Sequence, residues 1–198
     1  MTAGSNTGLS VVKIGGALTQ VPAELDRVCR AVSSAAAHHR LLVVPGGGPF
    51  ADAVRSVQVD LSLSNDAAHW MAILAMDQYA LLLAERIEGG VLLDEPGAVA
   101  GTVIPGRAGI LAPFRWMRHA DVLPHGWEVT SDSIAAFIAG AMDAVRLVLI
   151  KPSSTHSGVD SYFQAALPSH LPHYILGADR VDEIETVLSG STAGAESG

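Results

Sequence analysis

Two runs of apolar residues near the N-terminus each end in a cluster of glycines, and this pattern constrains the fold of the chain most strongly. Residues 9–14 precede Gly15 and Gly16, and residues 41–44 precede a proline and the glycines at 46–48. Continuous apolar strands of this kind are typical of a mostly parallel sheet that is covered on both faces. Glycines after a strand allow backbone N–H groups to approach and hold an anion.

Only the first glycine cluster is accompanied by a lysine, Lys13, which stands two residues ahead of it. A lysine at the end of a buried strand is costly unless its ammonium faces a cleft or an anion. The asymmetry predicts two phosphates, from two different molecules, that meet between the two loops. Phosphoryl transfer is therefore the first hypothesis, with Lys13 neutralising the transferred group.

The rest of the chain continues the alternation of strands and helices. We predict strands at 9–14, 41–44, 91–93, 109–111, 146–151 and 174–176, and helices from Pro22, from Pro49 to about residue 57, over 66–87, from Thr130 or Ser131 to 141, and over 180–188. Residues 94–108 are expected to be loop, and 152–172 a mobile surface segment with one helical turn. Residues 1–8 are expected to be a flexible N-terminus and 189–198 a disordered tail, which leaves a single domain over 9–188.

Composition narrows the functional classes. The chain has 198 residues, 49% of them hydrophobic, and a net charge of −8, which argues against nucleic acid as a partner because such binding neutralises many phosphates. The single cysteine, Cys29, is expected to be a buried helix residue in a reducing compartment. The N-terminus does not resemble a signal peptide, and no apolar stretch reaches the ~18 residues of a membrane span. We therefore expect a cytoplasmic protein without a membrane partner.

Three further residues extend the phosphate hypothesis. Lys151 ends a buried strand as Lys13 does, and the carboxyl ends of parallel strands converge on the ligand crevice of such a sheet. Asp132 follows Ser131 at the start of an apolar helix, where it either stabilises the helix dipole or faces the cleft and fixes the lysines. Arg55, on the helix after the second glycine cluster, is either a surface residue or a helper for an anion held there.

Competing motifs are weaker. Residues 46–51 match G-x-G-x-x-A, the dinucleotide-binding pattern, but that pattern requires a strand ending in an acidic residue about 20 positions on. Asn65 and Asp66 stand there, at the start of a long helix. The P-loop motif is absent, and the eight histidines have no metal-ligand spacing, so we expect no metal site formed by the protein.

The order of these motifs resembles the amino acid kinase superfamily. Lys13, Gly15 and Gly16, then the glycines at 46–48, then Asp132 before a helix, match the pattern of that family over residues 9–188. The resemblance implies a three-layer α/β/α sandwich with an acceptor-binding N-terminal half and a nucleotide-binding C-terminal half. It also implies ATP, with Mg²⁺ accompanying the nucleotide, and a homodimer.

Residues 69–79 and 126–136 are most similar to one small branch of that family, which phosphorylates (5-(aminomethyl)furan-3-yl)methyl phosphate to the diphosphate in methanofuran biosynthesis. An acceptor of this kind needs a carboxylate for its ammonium and an aromatic wall for its furan. The residue types suit five positions, among which the sequence does not choose: Asp60, Asp66, Asp121, Trp70 and Trp127.

The resemblance also implies roles for individual residues. The catalytic residues would be Lys13, Asp132 and Lys151; the nucleotide would be held by Lys13, Gly15, Gly16, Lys151, Gly158 and Asp160; the acceptor would be held by Gly46, Gly47, Gly48, Arg55, Thr130 and Ser131. Many members carry an aspartate directly after the strand that ends here at Ile150, whereas this chain has Lys151. We expect Lys151 to replace the second catalytic lysine of those members.

Two alternatives remain open. One is a non-catalytic nucleotide-binding sensor or storage protein on the same fold, motivated by the missing aspartate. The other is a kinase for uridylate, isopentenyl phosphate or an acylamino acid. For assembly, the apolar residues on more than one side of the 66–87 helix, which include Trp70, Met71, Leu74 and Met76, predict a homodimer through that helix.

Overall fold

The computed structural model describes residues 8–153 and 158–190. The predicted flexible N-terminus and disordered tail therefore lie outside the described residues, apart from Gly8, Ser189 and Gly190. Four residues of the predicted mobile segment, 154–157, also lie outside them.

A sheet of six parallel strands forms the centre of the described chain. The strands are β1 (Leu9–Ile14), β2 (Arg40–Pro45), β3 (Val91–Leu93), β4 (Gly109–Leu111), β5 (Arg146–Lys151) and β6 (His173–Gly177). Their order across the sheet is β3-β4-β2-β1-β5-β6, and every pairing is parallel. The predicted parallel sheet is confirmed, and β1 lies between β2 and β5, which places the ends of the three strands side by side.

Helices cover both faces of this sheet, as the predicted three-layer α/β/α fold requires. They are α1 (Pro22–Ala36), α2 (Gly48–Leu61), α3 (Asn65–Arg86), α4 (Val99–Thr102), α5 (Phe114–Ala120), α6 (Ser131–Ala141), α7 (Phe163–Ala166) and α8 (Ile184–Ser189), with 3₁₀ turns at Gly16–Gln20, Pro96–Ala98 and Ala178–Glu183. Local signals set their starts: a proline opens α1, Ser64 caps α3 and Thr130 caps α6.

Side chains of each strand alternate between the two covered faces. In β1, Val12 and Ile14 pack with α1 and α8, whereas Val11 packs with α6 and α5. Lys13 follows Val11 by two positions, so it lies on the α6 side of the sheet. Because of this alternation, the Lys13 side chain lies on the same face of the sheet as the start of α6.

Several predicted elements need correction. The segment 94–108 contains a 3₁₀ turn and α4 rather than loop alone, α5 was not predicted, and α2 extends to Leu61. The last helix is a 3₁₀ turn followed by α8. The predicted surface segment 152–172 is not wholly at the surface, because Phe163 in α7 is completely buried.

The apolar composition of the long helix α3 is accounted for by its packing inside the protein. By length and composition it could cross a membrane, but it lies against the sheet and against α1, α2 and α5. Of the apolar residues named for this helix, Trp70 and Met76 are buried within the chain. Leu74 and Leu81 are 42% and 60% exposed, so part of the apolar surface of this helix is not covered within the chain.

Candidate active site

Two buried lysines share one buried carboxylate at the carboxyl ends of β1 and β5. Lys13 Nζ lies 2.7 Å from Asp132 Oδ1, and Lys151 Nζ donates a hydrogen bond of 2.8 Å to Asp132 Oδ2. Lys151 Nζ also donates to the Gly158 carbonyl at 2.9 Å. The sequence has only these two lysines, so every lysine of the chain is placed at this point.

Two ammonium groups share one directly bonded carboxylate in this group. All three side chains are at most 11% exposed, and Asp160 adds a second negative charge that acts on Lys13 without contacting it directly. Burial lowers the pKa of Lys13, although the ion pair with Asp132 opposes that effect. Burial would raise the pKa of Asp132, but the two lysines together hold it below its ordinary value. Two buried ammonium groups that share one carboxylate at the ends of β1 and β5 suit an anionic ligand such as a phosphate.

A second carboxylate holds the start of α6, and with it Asp132. Asp160 accepts hydrogen bonds from the backbone N–H and the hydroxyl of Thr130 (2.9 and 2.7 Å), and from the backbone N–H of Ser133 (3.1 Å) and its hydroxyl. It also accepts from the Tyr162 N–H at 3.2 Å. The nucleotide-binding role predicted for Asp160 stays a prediction. In this structure its carboxylate accepts hydrogen bonds from the start of α6.

The two glycine loops touch each other through their backbones. A Cβ on Gly16 would lie 2.5 Å from Gly48 Cα, and one on Gly48 would lie 2.5 Å from the Gly16 carbonyl oxygen. Gly15 N–H donates to the Ile150 carbonyl at 2.8 Å, which ties the first loop to β5. Close loop packing therefore requires glycine here, in addition to any approach to an anion, and Gly48 has φ +52°.

A cavity of about 170 Å³ begins at the second glycine loop and lies between α2, α3 and the segment before α6. The residues that line it are Gly47, Gly48, Ala51, Asp52, Arg55, Asn65, His69, Ala72, Ile73, Met76, Gly126, Trp127, Val129, Thr130, Ser131 and Ile134. It has a backbone end at the glycines, an apolar floor and a mixed polar and aromatic wall. These features suit a small organic molecule that carries an anionic group.

The structure brings most of the predicted acceptor residues to this cavity. Gly47, Gly48, Thr130 and Ser131 line it, and so does Arg55, whose guanidinium lies 4.3 Å from the centre of the Trp127 ring. The prediction that Arg55 helps to hold a phosphate at the second glycine loop stays a prediction.

Of the five residues considered for an acceptor's ammonium and ring, Trp127 lines the cavity. Asp66 and Asp121 instead contact His125, at 2.6 and 2.9 Å. The carboxylate on the cavity wall is Asp52, which the sequence reasoning did not consider. Its spacing of three residues from Arg55, on the helix that follows the second glycine loop, is the signal that would have placed both on one side of α2.

Similarity to known proteins identifies the family of this chain. The sequence profile of the amino acid kinase family matches residues 8–110. The chain belongs to the amino acid kinase family. The predicted resemblance is therefore confirmed at the level of the family.

One characterised relative is "[5-(aminomethyl)furan-3-yl]methyl phosphate kinase" of Methanocaldococcus jannaschii, which is 31% identical over 144 residues. The match covers 72% of this chain and 64% of the relative, so this chain spans less than two thirds of the relative's length.

Solved structures of other family members show the same fold. Uridylate kinase from Archaeoglobus fulgidus superposes with a TM-score of 0.69 at 15% identity, over 93% of this chain and 96% of that one. UMP kinase from Bacillus anthracis gives a TM-score of 0.67 at 14% identity, over 93% of both chains. At these identities the likeness concerns the fold.

Proposed function

We propose that the protein is an ATP-dependent kinase that phosphorylates a small phosphomonoester, with [5-(aminomethyl)furan-3-yl]methyl phosphate as the acceptor and its diphosphate, for methanofuran biosynthesis, as the product. The observation that carries the proposal is the buried Lys13–Asp132–Lys151 group beside the cavity that begins at the glycine loops. The name of the relative at 31% identity supports the choice of acceptor.

The proposed reaction needs positioning and charge stabilisation more than a strong base. An oxygen of the acceptor's phosphate, already ionised, attacks the γ-phosphorus of ATP; the new P–O bond forms as the bond to ADP breaks, and ADP leaves. Lys13 and Lys151 would neutralise the transferred phosphoryl group, and Asp132 would hold the two ammonium groups in place. Mg²⁺ would enter with ATP, on the oxygens of its phosphates.

The lining of the cavity supports an acceptor of this chemistry. The backbone of Gly47 and Gly48 would hold the acceptor's phosphate at the glycine end of the cavity, where Gly48 packs against Gly16 of the loop that follows Lys13. The Trp127 indole offers a flat face for a ring, and Asp52 offers a carboxylate for an ammonium group. Uridylate or isopentenyl phosphate would place its phosphate at the same end of the cavity as the furan acceptor, but it would bring no positively charged group near Asp52.

A direct test compares three acceptors with ATP: [5-(aminomethyl)furan-3-yl]methyl phosphate, uridine monophosphate and isopentenyl phosphate. The diphosphate product is followed for the wild-type protein, for Lys13→Ala and for Arg107→Ala, in which an exposed arginine is removed. We expect turnover of the furan acceptor to fall by at least about 10²-fold in Lys13→Ala and to be unchanged in Arg107→Ala.

Each other outcome has a definite meaning. Preference for uridine monophosphate or isopentenyl phosphate would overturn the assigned acceptor. Wild-type turnover in folded Lys13→Ala would overturn the catalytic assignment. Binding of ATP without turnover of any acceptor would favour the non-catalytic nucleotide-binding protein, which is motivated by the missing aspartate directly after Ile150.

We also propose a cytoplasmic homodimer that pairs through α3. Leu74 and Leu81, exposed on one side of this helix, support the location. Light scattering at micromolar concentration should give twice the chain mass. Leu81→Glu should halve that mass, whereas Ile104→Glu, at an exposed apolar residue away from α3, should not. A monomeric wild-type protein would refute the dimer, and a dimeric Leu81→Glu variant would refute its location.

A further inference from the structure

One histidine near the cavity is held by two carboxylates. His125 Nδ1 lies 2.6 Å from Asp66 Oδ1, and His125 Nε2 lies 2.9 Å from Asp121 Oδ1. Asp66 belongs to the first turn of α3, and Asp121 directly follows α5. A carboxylate oxygen accepts but does not donate, so both contacts are hydrogen bonds only when both ring nitrogens carry protons. The geometry therefore fits a positively charged imidazolium that joins the two helices.

The same ring is stacked on a wall of the cavity. The His125 and His69 ring centres are 4.4 Å apart with 17° between the planes, and the Trp70 ring meets His125 edge-on at 4.9 Å. His69 is buried and lines the cavity. Burial first, and then the neighbouring His125, lower the pKa of His69 to about 4, so the ring on the cavity wall is neutral near pH 7.

The chain that follows His125 forms the remaining wall and leads to the lysine group. Trp127 lines the cavity two residues later, and its indole N–H donates to Gln58 of α2 at 2.6 Å. Thr130 then caps α6, and Asp132 binds the two lysines. His125 fastens this segment to α3 and Trp127 fastens it to α2, so the eight residues from 125 to 132 connect the cavity wall to the proposed catalytic group.

We propose that His125 is a positioning residue for the acceptor: as an imidazolium bound by Asp66 and Asp121, it fastens residues 122–130 over the cavity and holds the His69 ring against it. This inference rests on the proposed function where it names the cavity as the acceptor site. Within the described residues no group of three or more His, Cys, Asp or Glu side chains is arranged to hold a metal. The role inferred for His125, Asp66 and Asp121 is therefore to hold the 122–130 segment in place.

Hydrogen–deuterium exchange tests the fastening independently of catalysis. In His125→Ala and Asp66→Ala, peptides covering 122–130 should exchange at least about 5-fold faster, because the segment opens locally. Peptides from β1 and β5 should not change. The matched control is His119→Ala, which removes an exposed histidine of α5. Unchanged exchange over 122–130 in His125→Ala, or an equal increase in the two strands, would overturn the fastening.

Kinetics then tests the effect on the acceptor. The KM for [5-(aminomethyl)furan-3-yl]methyl phosphate should rise about 5- to 10-fold in His125→Ala, which loses two partly exposed charged contacts, and by a smaller factor in Asp66→Ala, which loses one of them. The double variant should be no worse than His125→Ala, because His125→Ala already removes the contact with Asp66. The KM for ATP and the kcat should stay within about 2-fold of the wild type.

The outcomes separate this inference from the proposed function. An unchanged acceptor KM in a variant whose 122–130 segment opens would overturn the positioning role. A fall in kcat with no change in acceptor KM would do the same. If the wild-type protein phosphorylates none of the three acceptors, the proposed function fails, whereas the exchange experiment still decides whether His125 fastens the segment.

Discussion

Replacing Asp132 by asparagine should destabilise the protein strongly, although the two side chains have nearly the same size. The carboxylate contacts Lys13 at 2.7 Å and Lys151 at 2.8 Å, and its side chain is 6% exposed. Asparagine retains one oxygen as a hydrogen-bond acceptor but removes the negative charge. Two buried ammonium groups then lose the carboxylate that they contact directly, and the charge of Asp160, which also acts on Lys13, remains as a weaker counter-charge.

The expected loss follows from that geometry. Removing one partner of a buried ion pair costs about 3–5 kcal/mol, because the remaining charge stays desolvated. A lysine can reduce this cost by releasing its proton, and the pKa of Lys13 is already lowered by burial. We therefore expect the free energy of unfolding of Asp132→Asn at pH 7 to fall by about 3 kcal/mol, at the lower end of that range.

The sign of the pH dependence provides a second check. The pKa of Lys13 in the folded protein is below its ordinary value of 10.5, and loss of the Asp132 charge lowers it further. Between the folded and the unfolded pKa, the unfolded chain binds more protons, so stability rises with pH. The deficit of Asp132→Asn should therefore shrink as the pH is raised from 7 towards 10.

Urea unfolding measures the free energies, and NMR of protein labelled with ¹³C-lysine reports the two lysines directly. Because the sequence has two lysines, the spectrum contains two side-chain signals whose titration gives both pKa values. The matched control is Asp182→Asn, at an exposed aspartate. A loss of less than about 1 kcal/mol, or a Lys13 pKa that does not fall, would refute the reasoning.

Three further predictions follow from the same structure. Gly16→Ala should lower both the melting temperature and the kinase activity, because the new Cβ would lie 2.5 Å from Gly48 Cα; Gly97→Ala, where no atom lies within 4 Å, should change neither. Asp77, half-buried and bonded to the Phe114 N–H, has its pKa raised by burial to about 6; between about pH 4 and 6 its carboxyl binds more protons in the folded protein than in the unfolded chain, so in urea unfolding the stability of the wild type relative to Asp77→Asn should fall with pH, while His69, whose pKa is lowered to about 4, adds the opposite slope to both proteins. Asp160→Ala should reduce the free energy of unfolding, measured in urea, by about 2 kcal/mol, because the donors of Thr130 and Ser133 lose their acceptor. A loss equal to that of Asp182→Ala would contradict the conclusion that Asp160 holds the start of α6.

The sequence determined the parallel sheet and the meeting of its two lysines. Apolar runs and local start signals, such as Pro22, Ser64 and Thr130, act within a few residues, so they are readable without a partner segment. The carboxyl ends of neighbouring parallel strands lie together in any such fold. Lys13 and Lys151 were therefore predicted to converge, whereas the sequence left open whether Asp132 stabilises the helix dipole or fixes the two lysines.

The tertiary structure alone decided the contacts between segments that are distant in sequence. Helix α5 was missed because its first N–H is bound by Asp77, 37 residues earlier, and its seven residues show too few turns for a periodic pattern. Asp160 reaches Ser133 across 27 residues, and Trp127 reaches Gln58 across 69. Such pairings depend on how helices pack against each other, which local periodicity does not specify, and they fix both the proposed catalytic carboxylate and the wall of the cavity.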